Sequence, residues 1–274
     1  LIVGLTIVAM GTSAPELAVS VSAAMDGEGV VALGNVVGSN IFNLGIVLGG
    51  AALLTPLKLN RAVVYRDGGM LILSTLALWY FLEDGTLGRD EAGIMVGAMA
   101  SYLLFLAVRR GAGVEEEEDE PAEKHGSIGK DLAKVFTGII MVVVGGKLLV
   151  YSAVALATLA GMDPWLISVT IVAAGTSAPE MVTTLSAVRG GHHGMAIGGL
   201  FGSDIFNVLL VLGVAGVVMP LEHLMAYQDS VMVMAATVLG TLLLCQIRGG
   251  LGRGGGTLVL VVALTRWILD ALGG

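Results

Sequence analysis

The sequence predicts an all-α, polytopic membrane protein built on an inverted internal repeat. Three observations carry this. Hydrophobic residues make up 55% of the 274 residues and charged residues only 13%, with a mean hydropathy of +0.90. A soluble domain carries about a quarter of its residues as charges. Apolar runs of membrane-spanning length recur along the whole chain. One eleven-residue motif returns, almost unchanged, at a fixed offset. The 41 glycines point to closely packed helices.

A spanning helix needs about 17–25 apolar residues. Nine runs qualify, at about 1–25, 30–54, 67–82, 91–108, 133–160, 164–188, 194–219, 225–247 and 256–272. Turn and charge signals separate them: Asp26-Gly27-Glu28, Lys58 to Asp67, Glu83 to Asp90, the 109–131 loop, Asp163-Pro164, Arg189 to His193, Glu222-His223 and Arg248 to Arg253. The runs do not alternate apolar and polar residues as the strands of a membrane barrel do. Arg66-Asp67 and Gln228-Asp229 take similar places in the two halves and are expected to cap helix starts and match their dipoles.

Basic residues orient the chain. The connections alternate sides, and one side collects 11 of the 14 Lys plus Arg. That side, holding the 109–131 loop, is expected to be cytoplasmic, which leaves the C-terminus outside and the protein multi-pass in the cell membrane. The net charge is −8, and seven of those charges come from Glu115, Glu116, Glu117, Glu118, Asp119, Glu120 and Glu123. The acidic balance therefore belongs to one solvated loop, and nothing supports a nucleic-acid partner. The single cysteine, Cys245, allows no internal disulfide and reads as a buried apolar residue.

Thr6-Ile-Val-Ala-Met-Gly-Thr-Ser-Ala-Pro-Glu16 aligns with Thr170-Ile-Val-Ala-Ala-Gly-Thr-Ser-Ala-Pro-Glu180 at an offset of 164, with 10 of 11 positions identical. The same offset aligns Gly38-Ser-Asn-Ile-Phe-Asn43 with Gly202-Ser-Asp-Ile-Phe-Asn207, and Pro56 with Pro220. The first copy runs from inside to outside and the second runs back. The repeat is inverted, an architecture common to secondary transporters. A full span, 133–160, precedes the second motif, and its counterpart would lie before Leu1. The expectation is ten helices in the intact protein, nine of them present here. The halves are residues 1–108, lacking their first helix, and 132–274, joined by the acidic loop 109–131.

Glu16 and Glu180 are acids in the middle of apolar spans, where carboxylates are expensive and are functional candidates by default. The alternative is a pair of helix-locking polar contacts, but each Glu arrives with the same oxygen-rich neighbourhood. Thr12 and Glu16 are four residues apart and share a helix face, as do Ala9 and Ser13. Pro15 lacks an N–H, so the carbonyl of Gly11 loses its helical partner and the helix should break. Ala173, Gly175, Thr176, Ser177, Pro179 and Glu180 repeat the arrangement. Broken backbone at membrane depth is tolerated where it lines a polar cavity. The following helix of each half adds Ser39 and Asn43, or Ser203 and Asn207. The donors are carboxylate, hydroxyl, amide and carbonyl oxygens, which suit a hard cation. Calcium takes about 6–8 oxygens, and two glutamates match its charge. His125, His192, His193 and His223 all fall in loops, which argues against zinc or copper. Asp204 stands where the first half has Asn40. Tuning of the site is one reading of it; residue i+1 turns about 100° away from Ser203, which puts a packing or cavity-rim place ahead.

These two doubled motifs resemble those of the sodium/calcium exchangers of the cation/calcium antiporter superfamily, prokaryotic type, and the resemblance covers essentially the whole chain. It implies that Glu16 and Glu180 ligate Ca2+ with the carbonyls of Thr12 and Thr176. It implies that Ala9, Ser13, Ser39, Ala173, Ser177 and Ser203 contribute to flanking Na+ sites, and that Asn43 and Asn207 line the centre. Some prokaryotic members carry Asp in place of Asn207. The function it implies is exchange of Na+ for Ca2+ by alternating access, electrogenic, with both ions as cargo, no cofactor and no enzymatic activity. Calcium/proton exchange, a potassium-dependent exchange and a passive cation channel are the competing readings. A serine hydrolase acting through Ser13 or Ser177 lacks a histidine base within any span. Beyond the ions and the lipid bilayer, the sequence names no partner.

Overall fold

The computed structural model describes residues 11–58, 63–111 and 157–273, with positions 137, 138, 140, 141, 144, 148, 151, 152 and 155 between them. In the first half α1 (Ala14–Met25) is followed by α2 (Gly29–Ile41), which passes through a wide π-helical stretch, Phe42–Leu48, into α3 (Gly49–Leu54). A short strand, β1 (Leu57–Lys58), follows. A second π-helical turn, Val64–Gly68, leads into α4 (Gly69–Phe81), and α5 (Arg89–Gly111) completes the half. The second half repeats this order. It comprises α6 (Pro164–Leu166), a π-helical stretch Ile167–Val172, α7 (Ala173–Thr176) and α8 (Ala178–Arg189). Then come α9 (His193–Phe206), a π-helical turn Asn207–Val211 and α10 (Leu212–Val218). The half ends with α11 (Gln228–Arg248), β2 (Gly250–Leu251) and α12 (Arg253–Gly273).

The chain is all-α and polytopic. Among the described residues, Gly29–Leu54, Arg89–Arg109, His193–Val218 and Met225–Gln246 are each long and apolar enough to cross a bilayer. Pro164–Thr176 and Ala178–Arg189, bent by 45° at the break between them, are together long and apolar enough for one more. The expected spans 1–25 and 133–160 lie partly outside the described residues, and the acidic run 115–123 lies wholly outside them. Exposed Leu73, Ile94, Leu104, Leu239, Leu258 and Val261 present an apolar exterior, as a lipid-facing surface requires.

Local chemistry accounts for the boundaries. Pro56 and Pro220 force the residues before them out of helical conformation. Thr55 (φ −148°, ψ 137°) and Met219 (φ −145°, ψ 125°) are accordingly extended. Gly27 and Gly191, 164 residues apart, turn the chain with φ of +79° and +81°, a region that glycine enters without steric cost. Asp163 caps α6 by accepting the N–H of Trp165 at 2.8 Å. Asp67 lies in the first turn of its helical stretch, Val64–Gly68, as dipole matching expects, but does not cap it. It accepts the Tyr102 hydroxyl and pairs with Arg66 at 2.6 Å. Buried at 6% exposure, a carboxylate needs such donors more than a helix start needs a cap. Asp229 likewise lies in the first turn of α11, whose start carries no side-chain cap.

The halves are interlocked. Leu57 pairs with Leu251 in the β1–β2 ladder, and Leu87 pairs with Leu221 in an isolated bridge. Adding 164 to residues 57 and 87 yields 221 and 251, so the two pairings are images of each other. The helices beside them follow suit. In α3, Gly49 packs on α12, where Gly256 lies against Gly49 and Ala52. In α10, Gly213 and Gly216 pack on Val96 and Ala92 of α5. Each half thus lays its central span against the last helix of the other. Small residues make this possible, because helix association in lipid depends on close backbone approach rather than on a hydrophobic drive.

Gly38 of α2 marks the tightest of these approaches near the centre. A Cβ there would lie 2.4 Å from the Val169 carbonyl oxygen and 2.7 Å from Ala173 Cβ. Backbone cannot yield as a side chain can. Gly38→Val is expected to destabilise the protein by about 1–3 kcal/mol or more. Gly50 has nothing within 4 Å of its would-be Cβ, and Gly50→Ala is expected to gain up to ~1 kcal/mol. Heat-denaturation profiles of the two detergent-purified variants check the contrast.

Candidate ion-binding site

The two broken helices meet at mid-depth. Ser13 (φ −84°, ψ 8°) precedes α1, and Ser177 (φ −82°, ψ 7°) separates α7 from α8. Both breaks fall where Pro15 and Pro179 remove a donor from the helical ladder. The break turns each serine toward the opposite half. Ser13 Oγ donates to Glu180 Oε1 at 2.8 Å, and Ser177 Oγ donates to Glu16 Oε1 at 3.1 Å. The two bonds are images of each other across the repeat. Thr12 and Ser203 also lie against Glu180, and Thr176 against Glu16. Ser39 Oγ and Thr176 Oγ1 are 3.3 Å apart.

The central amides obey the same symmetry. Asn43 Nδ2 donates to Asp204 Oδ1 at 2.9 Å, and Asn207 Nδ2 donates to Asn40 Oδ1 at 3.2 Å. Both amides lie in the π-helical stretches that interrupt their spans, a geometry frequent at functional sites. Thr12, Ser13, Glu16, Ser39, Asn43, Ala173, Thr176, Ser177, Glu180, Ser203 and Asn207 are all exposed by 2% or less. The structure therefore brings together every described residue that the repeat singles out. The Ala173 carbonyl already accepts the Ser177 N–H at 3.0 Å and lies 3.2 Å from Thr176 Oγ1. Ala9 lies outside the described residues.

Three polar residues at the site escaped the repeat criterion. Asn35, fully buried in α2, donates to the Glu16 carbonyl at 3.3 Å and to Ser20 Oγ at 3.0 Å, and accepts from Thr176 at 3.1 Å. Its image is Gly199, so no doubling flagged it; only its polarity within an apolar run did. Asn40 and Asp204 are the other two. Asp204 is no rim residue: it is fully buried and hydrogen-bonded to Asn43. Turning 100° away from Ser203 points it not outward but at the facing repeat helix.

One oxygen of each central side chain stays without a hydrogen bond: Glu16 Oε2, Glu180 Oε2, Asn43 Oδ1, Asn207 Oδ1 and Asp204 Oδ2. Among the described residues, the one salt bridge is Arg66–Asp67, so no Lys or Arg neutralises Glu16 or Glu180. Buried carboxylates and unpaired amide oxygens in one place are stabilised by a facing cation or, for the carboxyls, by protonation. Among the described residues, no three His, Cys, Asp or Glu side chains converge as in a resident metal centre. The donor set is a pair of carboxylates completed by hydroxyls, amides and carbonyls, which is hard-cation chemistry.

The chain as a whole is similar to proteins already known. The chain is 39% identical to the "Putative antiporter CaxA" of Alkalimonas amylolytica, over 91% of this chain and 80% of that one. It is 31% identical to the "Sodium/calcium exchanger MaX1" of Methanosarcina acetivorans, over 81% of this chain and 74% of that one. Among solved structures, the sodium-calcium exchanger NCX_Mj soaked with Na+ and Ca2+ superposes with a TM-score of 0.80 at 26% identity, covering 99% of this chain and 86% of that one. The family described as sodium/calcium exchanger protein matches residues 1–108 and 131–265, and this chain belongs to that family of membrane exchangers.

Proposed function

We propose that the protein exchanges Na+ for Ca2+ across the cell membrane by alternating access, with Glu16 and Glu180 as the paired calcium ligands. One observation carries the reading: two fully buried carboxylates, related by the internal repeat, each hold a serine from the opposite half and keep one oxygen free. Ca2+ bound between Oε2 of the two glutamates neutralises both. The main-chain carbonyls of Thr12 and Thr176, beside helix breaks, complete its shell. The hydroxyls of Ser13, Ser39, Ser177 and Ser203, with the carbonyls of Ala9 and Ala173, serve Na+ on either side. Asn43 and Asn207 give neutral oxygen at the centre.

The serine–glutamate bonds cross from one half to the other, so ligand sets from both halves rearrange together when the halves rock. That coupling suits a carrier that exposes one cavity to alternate sides. The halves are residues 1–108 and 132–274, the 109–131 loop faces the cytoplasm and the C-terminus lies outside. Relatives named for sodium/calcium exchange, MaX1 and NCX_Mj, support Na+ as the counter-ion. The deciding experiment is radiolabelled calcium uptake into proteoliposomes under imposed Na+, K+ or H+ gradients. Uptake driven by outwardly directed Na+ alone is the expected result. Uptake driven by H+ and indifferent to Na+ would assign calcium/proton exchange, and uptake that needs K+ with Na+ would assign a potassium-dependent exchange.

A further inference from the structure

Asp204 is where the two halves part chemically inside the site. At the equivalent place the first half carries Asn40. The side chain of Asp204 accepts from Asn43 Nδ2 at 2.9 Å. Its main-chain carbonyl accepts from Asn40 Nδ2 at 3.2 Å, and Asn40 Oδ1 in turn accepts from Asn207 Nδ2 at 3.2 Å. An amide's oxygen and nitrogen are told apart by which neighbour must donate. A carboxylate and a main-chain carbonyl both accept only. Asn43 must therefore turn its NH2 group to Asp204. Asn40 must turn its NH2 group to the carbonyl of residue 204, which leaves only its oxygen for Asn207. The opposite ends of both central amides, Asn43 Oδ1 and Asn207 Oδ1, are buried and without a partner.

We propose that Asp204 is a positioning residue for ion exchange: its carboxylate fixes the face of the central amide Asn43 so that the amide oxygen, and not its NH2 group, meets the transported cations. Asn207 is set separately, by Asn40, whose NH2 group is held on the main-chain carbonyl of residue 204 whatever the side chain there. An amide free to rotate would present its NH2 group, a partial positive charge, to a cation for part of the time. Asp204 breaks that freedom because its carboxylate offers no donor. The inference rests on the exchange reading of the same site.

The test separates orientation from charge. Asp204→Asn keeps an acceptor for Asn43 and adds an NH2 group that can reach the Asn40 carbonyl, the image of the bond Asn40 now makes. Asp204→Leu keeps the bulk and removes the acceptor. Sodium-driven uptake of radiolabelled calcium in proteoliposomes is measured as KM and kcat, alongside calcium binding to the detergent-purified full chain. Asp204→Asn is expected to stay within about threefold of the parent in KM and in binding. Asp204→Leu is expected to weaken both by about tenfold or more, the loss of one buried hydrogen bond, with kcat changed less. Equal losses in the two variants would mean that the charge itself holds the ion, and would overturn the inference, as would no change in either. Should Asp204→Leu fail to fold, Asn43→Asp and Asn43→Asp with Asp204→Asn decide. The single variant sets two carboxylates against each other and raises KM. The double variant restores a donor facing an acceptor and is expected to recover within about tenfold of the parent; no recovery overturns the inference. A parent that binds calcium but shows no sodium-driven uptake would instead overturn the exchange reading, and the binding ratios would still judge Asp204.

Discussion

Replacing Glu16 or Glu180 with Gln is expected to cut calcium flux at low calcium by ~30-fold or more, while the protein still folds and, without ions, resists heat better than the parent. The two effects share one cause. Each glutamate is fully buried, and its charge faces serine hydroxyls and no basic side chain among the described residues. A glutamine oxygen can still accept from Ser13 or Ser177, so the cross-half bond survives. What is lost is one of two charges that face a divalent ion. Removing one partner of a desolvated charge pair costs about 2–5 kcal/mol, and about 2 kcal/mol is ~30-fold. In the ion-free protein that charge is uncompensated, and burial of unpaired charge is destabilising. Its removal therefore raises the unfolding temperature. Calcium at ~100 times its Kd should stabilise the parent by about 2.7 kcal/mol, and both variants should lose most of that gain. Unfolding temperatures with and without calcium, beside uptake rates, check both arms. A variant that keeps near-parental flux would remove that glutamate from the site.

Clamping the membrane at two potentials should shift the equilibrium calcium ratio ~50-fold per 100 mV. Ca2+ carries two positive charges through the site, and the two glutamates match them. Three sodium ions, the number the family resemblance implies, carry one more. Each cycle then moves one net positive charge in the direction of sodium. A potential of 100 mV acts on that charge with about 2.3 kcal/mol, which converts to ~50-fold. Proteoliposomes with a potassium gradient and an ionophore set the potential; calcium trapped at a fixed sodium gradient is the readout. Calcium accumulation indifferent to potential would reject three-for-one exchange in favour of two sodium ions per calcium.

Much of this site could be read from the sequence because the repeat writes it twice. Glu16 and Glu180, Ser13 and Ser177, and Asn43 and Asn207 are doubled at one spacing, and Pro15 and Pro179 announce the breaks beside them. The residues that escaped are those the doubling does not cover. Asn35 answers to Gly199, and Asn40 answers to Asp204. Helical-face arithmetic also misplaced Asp204, because it measures angles on one helix and cannot know that another repeat helix lies on the side turned away. The cap expected of Asp67 fails for a similar reason. Its position suggested a helix start, and only tertiary packing brings Tyr102 to its carboxylate. The pairing of each half's central span with the other half's last helix has no local signature, since small residues permit close approach without naming a partner.

That exchange of last helices bears on how the protein is made. Leu57 waits for Leu251, and Gly49 waits for Gly256, some two hundred residues further along the chain. Contacts this distant in sequence form late and slow folding. During synthesis the first half leaves the ribosome with the groove along α3 uncovered, and lipid or the insertion machinery must shield it until α12 arrives. The opposite contact is less demanding, because α5 is already in the membrane when α10 enters. A nascent chain released before α12 therefore lacks the helix that packs on Gly49 and Ala52 of α3.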